Sequence, residues 1–148
     1  MNKLKPLIPM SILIILLMSN GALAQDRSYI NPSSASGTGL PFSGAVQVDD
    51  TLYLSGMLGL VNGQVPDDPA EEARVLLESI KSTLEEAGMT MDDLVYVQIF
   101  CSDVAHYDAF NNVYRAYFTR EFPARAFVGA GTLLFNARFE IQSIAVKR

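Results

Sequence analysis

Short runs of hydrophobic positions, separated by polar turns, dominate the part of the chain that follows residue 40. The runs predict strands over residues 45–48, 51–54, 57–61 and 64–65. Asp49 and Asp50 join the first two runs, and Asn62 and Gly63 form a hairpin signal between the last two. This part of the sequence therefore predicts a β-meander.

Residues 68–88 have the pattern of one capped helix. Asp68 is placed to cap its N-terminus, Pro69 stands at the first helical position, and Glu71 follows at the third. Gly88 is placed to end the helix. The hydrophobic positions recur at helical spacing and form a single stripe at Ala73, Leu76, Leu77, Ile80, Leu84 and Ala87. The stripe predicts an ordinary helix that faces the core.

The remainder of the chain predicts a strand, a helix and two more strands. Residues 94–101 alternate as a strand, residues 105–118 repeat hydrophobic positions at helical spacing, and residues 126–128 and 138–146 read as strands. With no internal repeat, the order ββ(β)α–βα–ββ predicts an α+β domain. Two helices packed on one face of a mostly antiparallel sheet suit that order.

The first 24 residues have the pattern of a signal peptide. Lys3 and Lys5 precede the hydrophobic stretch 7–18, and Ala22-Leu23-Ala24 provides the small residues that a signal peptidase accepts. About a dozen apolar residues fall short of the roughly 20 that a spanning helix needs, which disfavours a membrane anchor. We expect cleavage after residue 24 and export to the periplasm or the medium, with no membrane attachment afterwards.

Cleavage would leave residues 25–148 as one domain. Residues 25–40 are rich in Ser, Gly, Asn and Pro and predict an irregular arm, followed by an ordered domain over residues 41–148. Without Lys3 and Lys5, the 11 basic residues fall to nine against 16 acidic ones, a formal charge of −7 that disfavours nucleic-acid binding. Cys101 is the only cysteine, so an intrachain disulfide is excluded.

Several enzyme chemistries lack their residues in this sequence. His106 is the only histidine, so a Ser-His-Asp triad would depend on it, and its simpler interpretation is a residue in the first turn of the second helix. One cysteine and one histidine provide no zinc ligand set, and the acidic residues lack calcium-loop spacing. Gly129 and Gly131 lack the third glycine and the lysine of nucleotide-binding loops. We expect neither a metal nor a nucleotide cofactor.

Each of the last two predicted strands carries a charged residue within a hydrophobic run. Arg125 lies in the run 122–128, and Glu140 lies between Phe139 and Ile141. The two strands are close enough in sequence to be neighbours in the sheet. Arg125 and Glu140 therefore form either a structural ion pair or part of a site, and the residue types alone leave both possibilities open.

From Pro41 to the C-terminus the chain resembles the RidA (YjgF) family of reactive-intermediate or imine deaminases. The most specific match is residues 123–133, PARAFVGAGTL, with FEI at 139–141 and IAV at 144–146. Supporting matches are Pro41-Phe42-Ser43, Leu54-Ser55-Gly56, Ala87-Gly88 and Asn111-Asn112-Val113-Tyr114. The resemblance implies a chorismate-mutase-like α+β fold and a homotrimer with a ligand site in each cleft between subunits.

The resemblance also implies roles for individual residues. Arg125 would anchor the carboxylate of a small 2-imino or 2-enamino acid, and the backbone N–H of Phe127 would add a second contact. Glu140 would position or deprotonate the water that attacks the imine carbon, releasing a 2-oxo acid and ammonia. No cofactor is required, since a protonated imine is already an electrophile. The remaining residues expected to line the pocket are Ser55, Phe42, Asn111 and Tyr114.

Four positions depart from the family pattern. Phe42, Met57, Phe127 and Leu134 stand where the family usually has tyrosine, glutamine, cysteine and proline. Phe42 lacks a hydroxyl, and Phe127 keeps its backbone donor but fills more space. The four changes predict a more apolar cleft and a bulkier or more hydrophobic substrate.

Two functions without catalysis are alternatives to the deaminase. The first is a trimeric binder that captures small carboxylates through Arg125. The second is a protein-interaction or holdase-like module that uses apolar surface around Phe42, Met57 and Phe127. The presence of both Arg125 and Glu140 favours the deaminase, because a binder gains nothing from a carboxylate beside a bound anion.

Overall fold

The chain folds into strands and helices close to those that its hydrophobic pattern predicts. The computed structural model describes residues 26–31 and 39–148, and the predicted signal peptide lies outside them. Within these residues the strands are β1 (Arg27–Ile30), β2 (Ala45–Val48), β3 (Thr51–Leu58), β4 (Leu94–Cys101), β5 (Ala124–Gly129) and β6 (Phe139–Val146). The helices are α1 (Pro69–Glu86) and α2 (Tyr107–Tyr114). The prediction of an α+β fold is confirmed.

The strands form one sheet in the order β1-β2-β3-β6-β4-β5. Every neighbouring pair is antiparallel except β4 and β5, which are parallel because α2 makes the crossover between them. Strand β4 lies between β5, which carries Arg125, and β6, which carries Glu140. The expectation that the strands of Arg125 and Glu140 are neighbours is therefore wrong.

One face of the sheet is covered by the helices. Alternate strand positions point to this face and are buried, among them Leu52, Leu54, Val97, Ile99, Phe139, Ile141 and Ala145. They meet the predicted stripe of α1, whose members Ala73, Leu76, Leu77, Ile80 and Leu84 are buried. The stripe is therefore confirmed as a core surface, and the opposite face of the sheet has no helix on it within the described residues.

The ends of α1 follow the sequence signals. The Asp68 carboxylate accepts a hydrogen bond from the backbone N–H of Ala70 at 3.1 Å, and Pro69 is the first helical residue. Gly88 follows the helix with a φ of 68°, a left-handed conformation that glycine adopts without steric cost. Both predicted ends are confirmed.

Strand β1 corrects the expectation of an irregular arm over residues 25–40. Arg27–Ile30 pair antiparallel with β2, with Arg27 opposite Val48 and Ile30 opposite Ala45. Ile30 packs against the hydrophobic core, and its strand covers the backbone edge that β2 would otherwise expose.

The second predicted hairpin is also shorter than expected. Asn62 and Gly63 make a turn with positive φ, but the flanking Val61 and Gln64 form only an isolated bridge. Residues 57 and 58 belong instead to β3, where they pair with β6. The second helix is also shorter than the predicted range 105–118. Its α-helical residues are flanked by 3₁₀ turns at Val104–His106 and Arg115–Tyr117.

A buried carboxylate joins α1 to the start of β6. The fully buried Glu72 accepts hydrogen bonds from the backbone N–H groups of Arg138 at 2.6 Å and Phe139 at 3.1 Å. It also pairs with the Arg138 guanidinium at 2.8 Å. Gly59 lies against the backbone of Glu72, where a Cβ would overlap its carbonyl oxygen. These contacts fix the chain two residues before Glu140.

Candidate active site

The Arg125 side chain is held by one stripe of α2. In β5, Arg125 lies opposite Val97 of β4, whose side chain is buried on the face that the helices cover. Tyr107, Asn111 and Tyr114 are four and then three residues apart, so they lie on one side of the helix. The sequence analysis predicted Asn111 and Tyr114 as site residues but not Tyr107. Tyr107 could have been predicted from its helical spacing to Asn111.

The contacts of Arg125 leave part of its guanidinium available. One terminal nitrogen donates to Asn111 Oδ1 at 2.7 Å, and the other lies 3.5 Å from the Tyr107 hydroxyl. The guanidinium carbon lies 4.9 Å from the ring centroid of Tyr114, a cation–π distance. Because a guanidinium has five N–H donors, these contacts orient it and leave donors for an anion.

Phe127 packs beside the guanidinium as part of an aromatic cluster. Its ring centroid is 5.9 Å from the guanidinium carbon of Arg125 and makes edge contacts with Tyr107 at 4.9 Å and Phe110 at 5.7 Å. The side chain therefore stiffens the wall of the site. The role of its backbone N–H stays a prediction.

Glu140 belongs to a second group of residues. It lies opposite Phe100 of β4, and the flanking Phe139 and Ile141 are buried beneath the helices. Since side chains alternate along a strand, Glu140 points to the face without helices. Its carboxylate lies over Gly56, where a Cβ would overlap the carboxylate oxygen. A larger residue at this position would displace the end of the Glu140 side chain.

A β-bulge and one hydrogen bond shape the surroundings of Glu140. The register of β3 against β6 shifts between Leu54 and Met57, which places Ser55 and Gly56 in the irregular stretch. The Ser55 hydroxyl donates to the backbone carbonyl of Ser43 at 2.6 Å and holds the preceding loop beside the bulge. Phe42, next along that loop, is half exposed.

Arg125 and Glu140 lie on opposite faces of the sheet. Their partners on β4, Val97 and Phe100, are three residues apart, roughly 10 Å along the strand. Among residues 26–31 and 39–148 no ion pair joins the two side chains. The interpretation of a structural Arg125–Glu140 pair is therefore wrong, and a single chain does not bring the two groups together.

A small cavity lies beside Arg125. Its volume is about 230 Å³, and it is lined by Asn111, Tyr114, Arg115, Phe122, Pro123 and Arg125. Met57 packs against the core and Leu134 is exposed, so neither makes this cavity more apolar. The apolar character of the expected cleft between subunits stays a prediction.

The Tyr114 hydroxyl has no hydrogen-bond partner among the described residues, although the side chain is only 3% exposed. Burial raises the pKa of Tyr114 to about 12, against an opposing effect of the Arg125 charge. The hydroxyl therefore keeps its proton at neutral pH and remains a hydrogen-bond donor.

A larger groove of about 850 Å³ lies on the outer side of the helices. Its polar groups already bond to one another: Tyr117 donates to Glu78 at 2.9 Å, and the backbone N–H of Thr119 donates to Asp92 at 3.0 Å. These bonds leave it less suited than the Arg125 cavity to hold a small acid.

The described residues contain neither a cluster of metal ligands nor a membrane-spanning helix. No group of three or more His, Cys, Asp or Glu residues is arranged to hold a metal ion within ranges 26–31 and 39–148. No helix in the same residues has the length and hydropathy to cross a membrane. His106, the one histidine, lies in the 3₁₀ turn before α2 with its ring 6.1 Å from that of Phe139.

Comparison with known proteins identifies the family. A family model described as endoribonuclease L-PSP matches residues 33–147. The chain is 40% identical over 109 residues to a 2-iminobutanoate/2-iminopropanoate deaminase of Dermatophagoides farinae, covering 72% of this chain and 85% of the relative. It is 38% identical over 124 residues to the Bos taurus protein of that name, covering 82% and 90%.

The solved structures agree with this result. The YjgF gene product from Escherichia coli superimposes with a TM-score of 0.70 at 32% identity, covering 80% of this chain and 94% of that one. From the family model, the relatives and the shared fold, the chain belongs to the RidA/YjgF family.

Proposed function

We propose that this protein is an imine deaminase that hydrolyses 2-imino and 2-enamino acids to 2-oxo acids and ammonia. The observation that carries the proposal is the guanidinium of Arg125, which Asn111 and Tyr107 orient at the edge of a small cavity. Relatives named as imine deaminases, 38% and 40% identical to this chain, support the class of reaction.

The substrate carboxylate binds the free donors of Arg125 in this proposal. A planar guanidinium matches a carboxylate with two parallel hydrogen bonds, and such charge-assisted contacts are stronger than neutral ones. Because Asn111 and the ring of Tyr114 hold the guanidinium in advance, little side-chain entropy is lost when the acid binds.

The site is complete where Arg125 of one copy meets Glu140 of another. Each side chain is directed to a different face of its own sheet, so contact between the two groups requires two chains. The contact joins two different surfaces and is therefore heterologous, the type that forms a ring when the rotation between copies closes. We propose the homotrimer that the family resemblance implies.

The uncovered face of the sheet supports association. A row of apolar side chains crosses five strands in register on this face: Tyr29, Val46, Tyr53, Ile144 and Tyr96. The three tyrosines of this row are each at least 36% exposed. A contiguous apolar surface of this kind is typical of an interface rather than a solvated face.

The chemistry needs one proton acceptor and no cofactor. Glu140 takes a proton from a water molecule, whose oxygen forms a bond to the electrophilic carbon of the protonated imine. The resulting carbinolamine breaks its C–N bond, transfers a proton to the leaving nitrogen and releases ammonia and the 2-oxo acid. Gly56 gives the Glu140 carboxylate the space that it occupies in the site.

The test is hydrolysis of imines generated in situ by an amino-acid oxidase from a panel of amino acids. We expect the purified protein to accelerate release of the 2-oxo acid. Glu140→Gln should lower turnover by roughly 100- to 10,000-fold while acid binding persists. Arg125→Ala should weaken acid binding by roughly ten- to a hundredfold.

The alternative functions predict different results in the same test. No acceleration with any amino acid, combined with acid binding that depends on Arg125, would establish a carboxylate binder in place of the enzyme. Loss of folding in Glu140→Gln without a specific kinetic defect would show that Glu140 is structural.

The description of the family model also names an endoribonuclease. The full sequence has a formal net charge of −5, which opposes binding of a polyanion. We therefore do not propose ribonuclease activity for this chain.

We further propose that the deaminase acts outside the cytoplasm. The support is the pattern of the first 24 residues, with two lysines, a hydrophobic stretch and Ala22-Leu23-Ala24. Mass spectrometry of the periplasmic or extracellular fraction should find Gln25 at the N-terminus. An exported protein that retained Met1 would contradict the cleavage.

A further inference from the structure

Two arginines line the cavity described above. Arg115, in the 3₁₀ turn after α2, lines the same 230 Å³ space as Arg125. The space is smaller than the roughly 300–1,000 Å³ typical of drug-sized ligands, so it suits a metabolite of a few carbon atoms. A deaminase for an acid with a single carboxylate needs only one of these charges.

Arg115 has no counter-charge of its own. Its side chain makes no hydrogen bond or ion pair within the described part of the chain, whereas Arg74, Arg138 and Arg148 each pair with a carboxylate. Two unneutralised cations on one small cavity repel each other, and a bound anion relieves that repulsion. The charge of the cavity thus favours a ligand with two negative groups.

A buried donor on the same wall points to a bound ligand. The Tyr114 hydroxyl is buried and unpartnered among the described residues, and Tyr114 lines the same cavity as the two arginines. Buried polar groups in folded proteins nearly always have a partner, and an orphan donor costs free energy. An acceptor oxygen of a ligand in this cavity would supply the missing partner.

We propose that the site takes 2-imino acids with a second carboxylate, the imines of acidic amino acids. Arg125 binds the carboxylate next to the imine carbon, and Arg115 binds the distal one. The inference rests on the proposed deaminase function for its reaction, but the binding that it assigns is independent of turnover. It replaces the expectation of a more hydrophobic substrate, since the cavity wall carries two cations.

Arg115→Gln tests the second contact by removing the charge and keeping most of the side chain. Turnover is compared for imines generated in situ from aspartate and from alanine. The ratio of kcat/KM for the diacid imine to that for the monoacid imine should fall by roughly ten- to a hundredfold. Arg120→Gln removes the same charge from an exposed arginine outside the cavity and should leave the ratio unchanged.

A binding measurement separates this inference from the proposed function. Calorimetric titration of the protein with 2-oxoglutarate, 2-oxobutanoate and inorganic phosphate should show tightest binding of 2-oxoglutarate, lost in Arg115→Gln. That result would support the inference even if no imine were hydrolysed, which would refute only the deaminase. Equal binding of the two acids, or phosphate binding as tightly as the diacid, would overturn the assignment of a dicarboxylate.

Discussion

Two inactive variants should restore each other when they assemble together. Arg125→Ala lacks the carboxylate anchor and Glu140→Gln lacks the proton acceptor, so each variant alone should be almost inactive. Because the two side chains point to opposite faces of the sheet, each proposed site takes Arg125 from one copy and Glu140 from the next. A mixed assembly therefore contains junctions that receive both intact residues.

The number of intact junctions determines how much activity a mixed assembly regains. In a ring of three with both variants present, only one of the three junctions has an intact arginine facing an intact glutamate. Purified mixed rings should thus show about one third of the wild-type activity, against roughly a tenth or less for either variant alone. A site built within one chain would give no recovery.

The assay uses co-expressed variants that carry two different affinity tags. Rings purified through both tags contain both variants, and their rate of 2-oxo acid release is compared with that of wild-type rings. The matched control combines Arg125→Ala with the double variant Arg125→Ala/Glu140→Gln, which has no intact junction. Mixed rings no more active than this control would refute the shared site.

Three further predictions concern the support of the site. Gly56→Ala should lower turnover by roughly a hundredfold or more with the fold retained, because the new Cβ displaces the flexible end of Glu140. Glu72→Ala should lower the free energy of unfolding in urea by about 3 kcal/mol, because it leaves the Arg138 charge without its carboxylate partner and two backbone N–H groups unpaired. Tyr114→Phe should weaken acid binding but leave stability at pH 7 unchanged or slightly higher, because its hydroxyl has no partner among the described residues. The folded-state pKa of Tyr114, about 12, exceeds its ordinary value of 10.0, so the variant should also lose less stability than wild type as pH rises from 10 towards 12.

Each of these three predictions has a control variant or a result that would contradict it. Gly129→Ala is the matched control for Gly56, since its Cβ would make only an ordinary contact with Val104 at 3.4 Å. Full activity in Gly56→Ala would mean that the position of Glu140 is unimportant. An unchanged urea midpoint in Glu72→Ala would contradict the structural role of the buried carboxylate. A large loss of stability in Tyr114→Phe would show that its hydroxyl has a partner in the fold.

Local sequence determined the elements whose signals lie within a few residues. The N-cap, proline and stripe of α1 are short-range features, and the structure reproduces both ends of that helix. Arg125 and Glu140 were found for a similar reason, because a charge within a hydrophobic strand is visible in the sequence itself and the surrounding residues match a family signature.

Only the tertiary structure decided how these parts combine. The insertion of β6 between β3 and β4 depends on pairing between residues far apart in the chain, and it is this order that places Arg125 and Glu140 on opposite faces. The burial of Glu72 and the convergence of Arg115 and Arg125 on one cavity likewise depend on which elements pack together. The spacing of residues along the chain does not determine these long-range contacts, because they depend on how the strands and helices pack together.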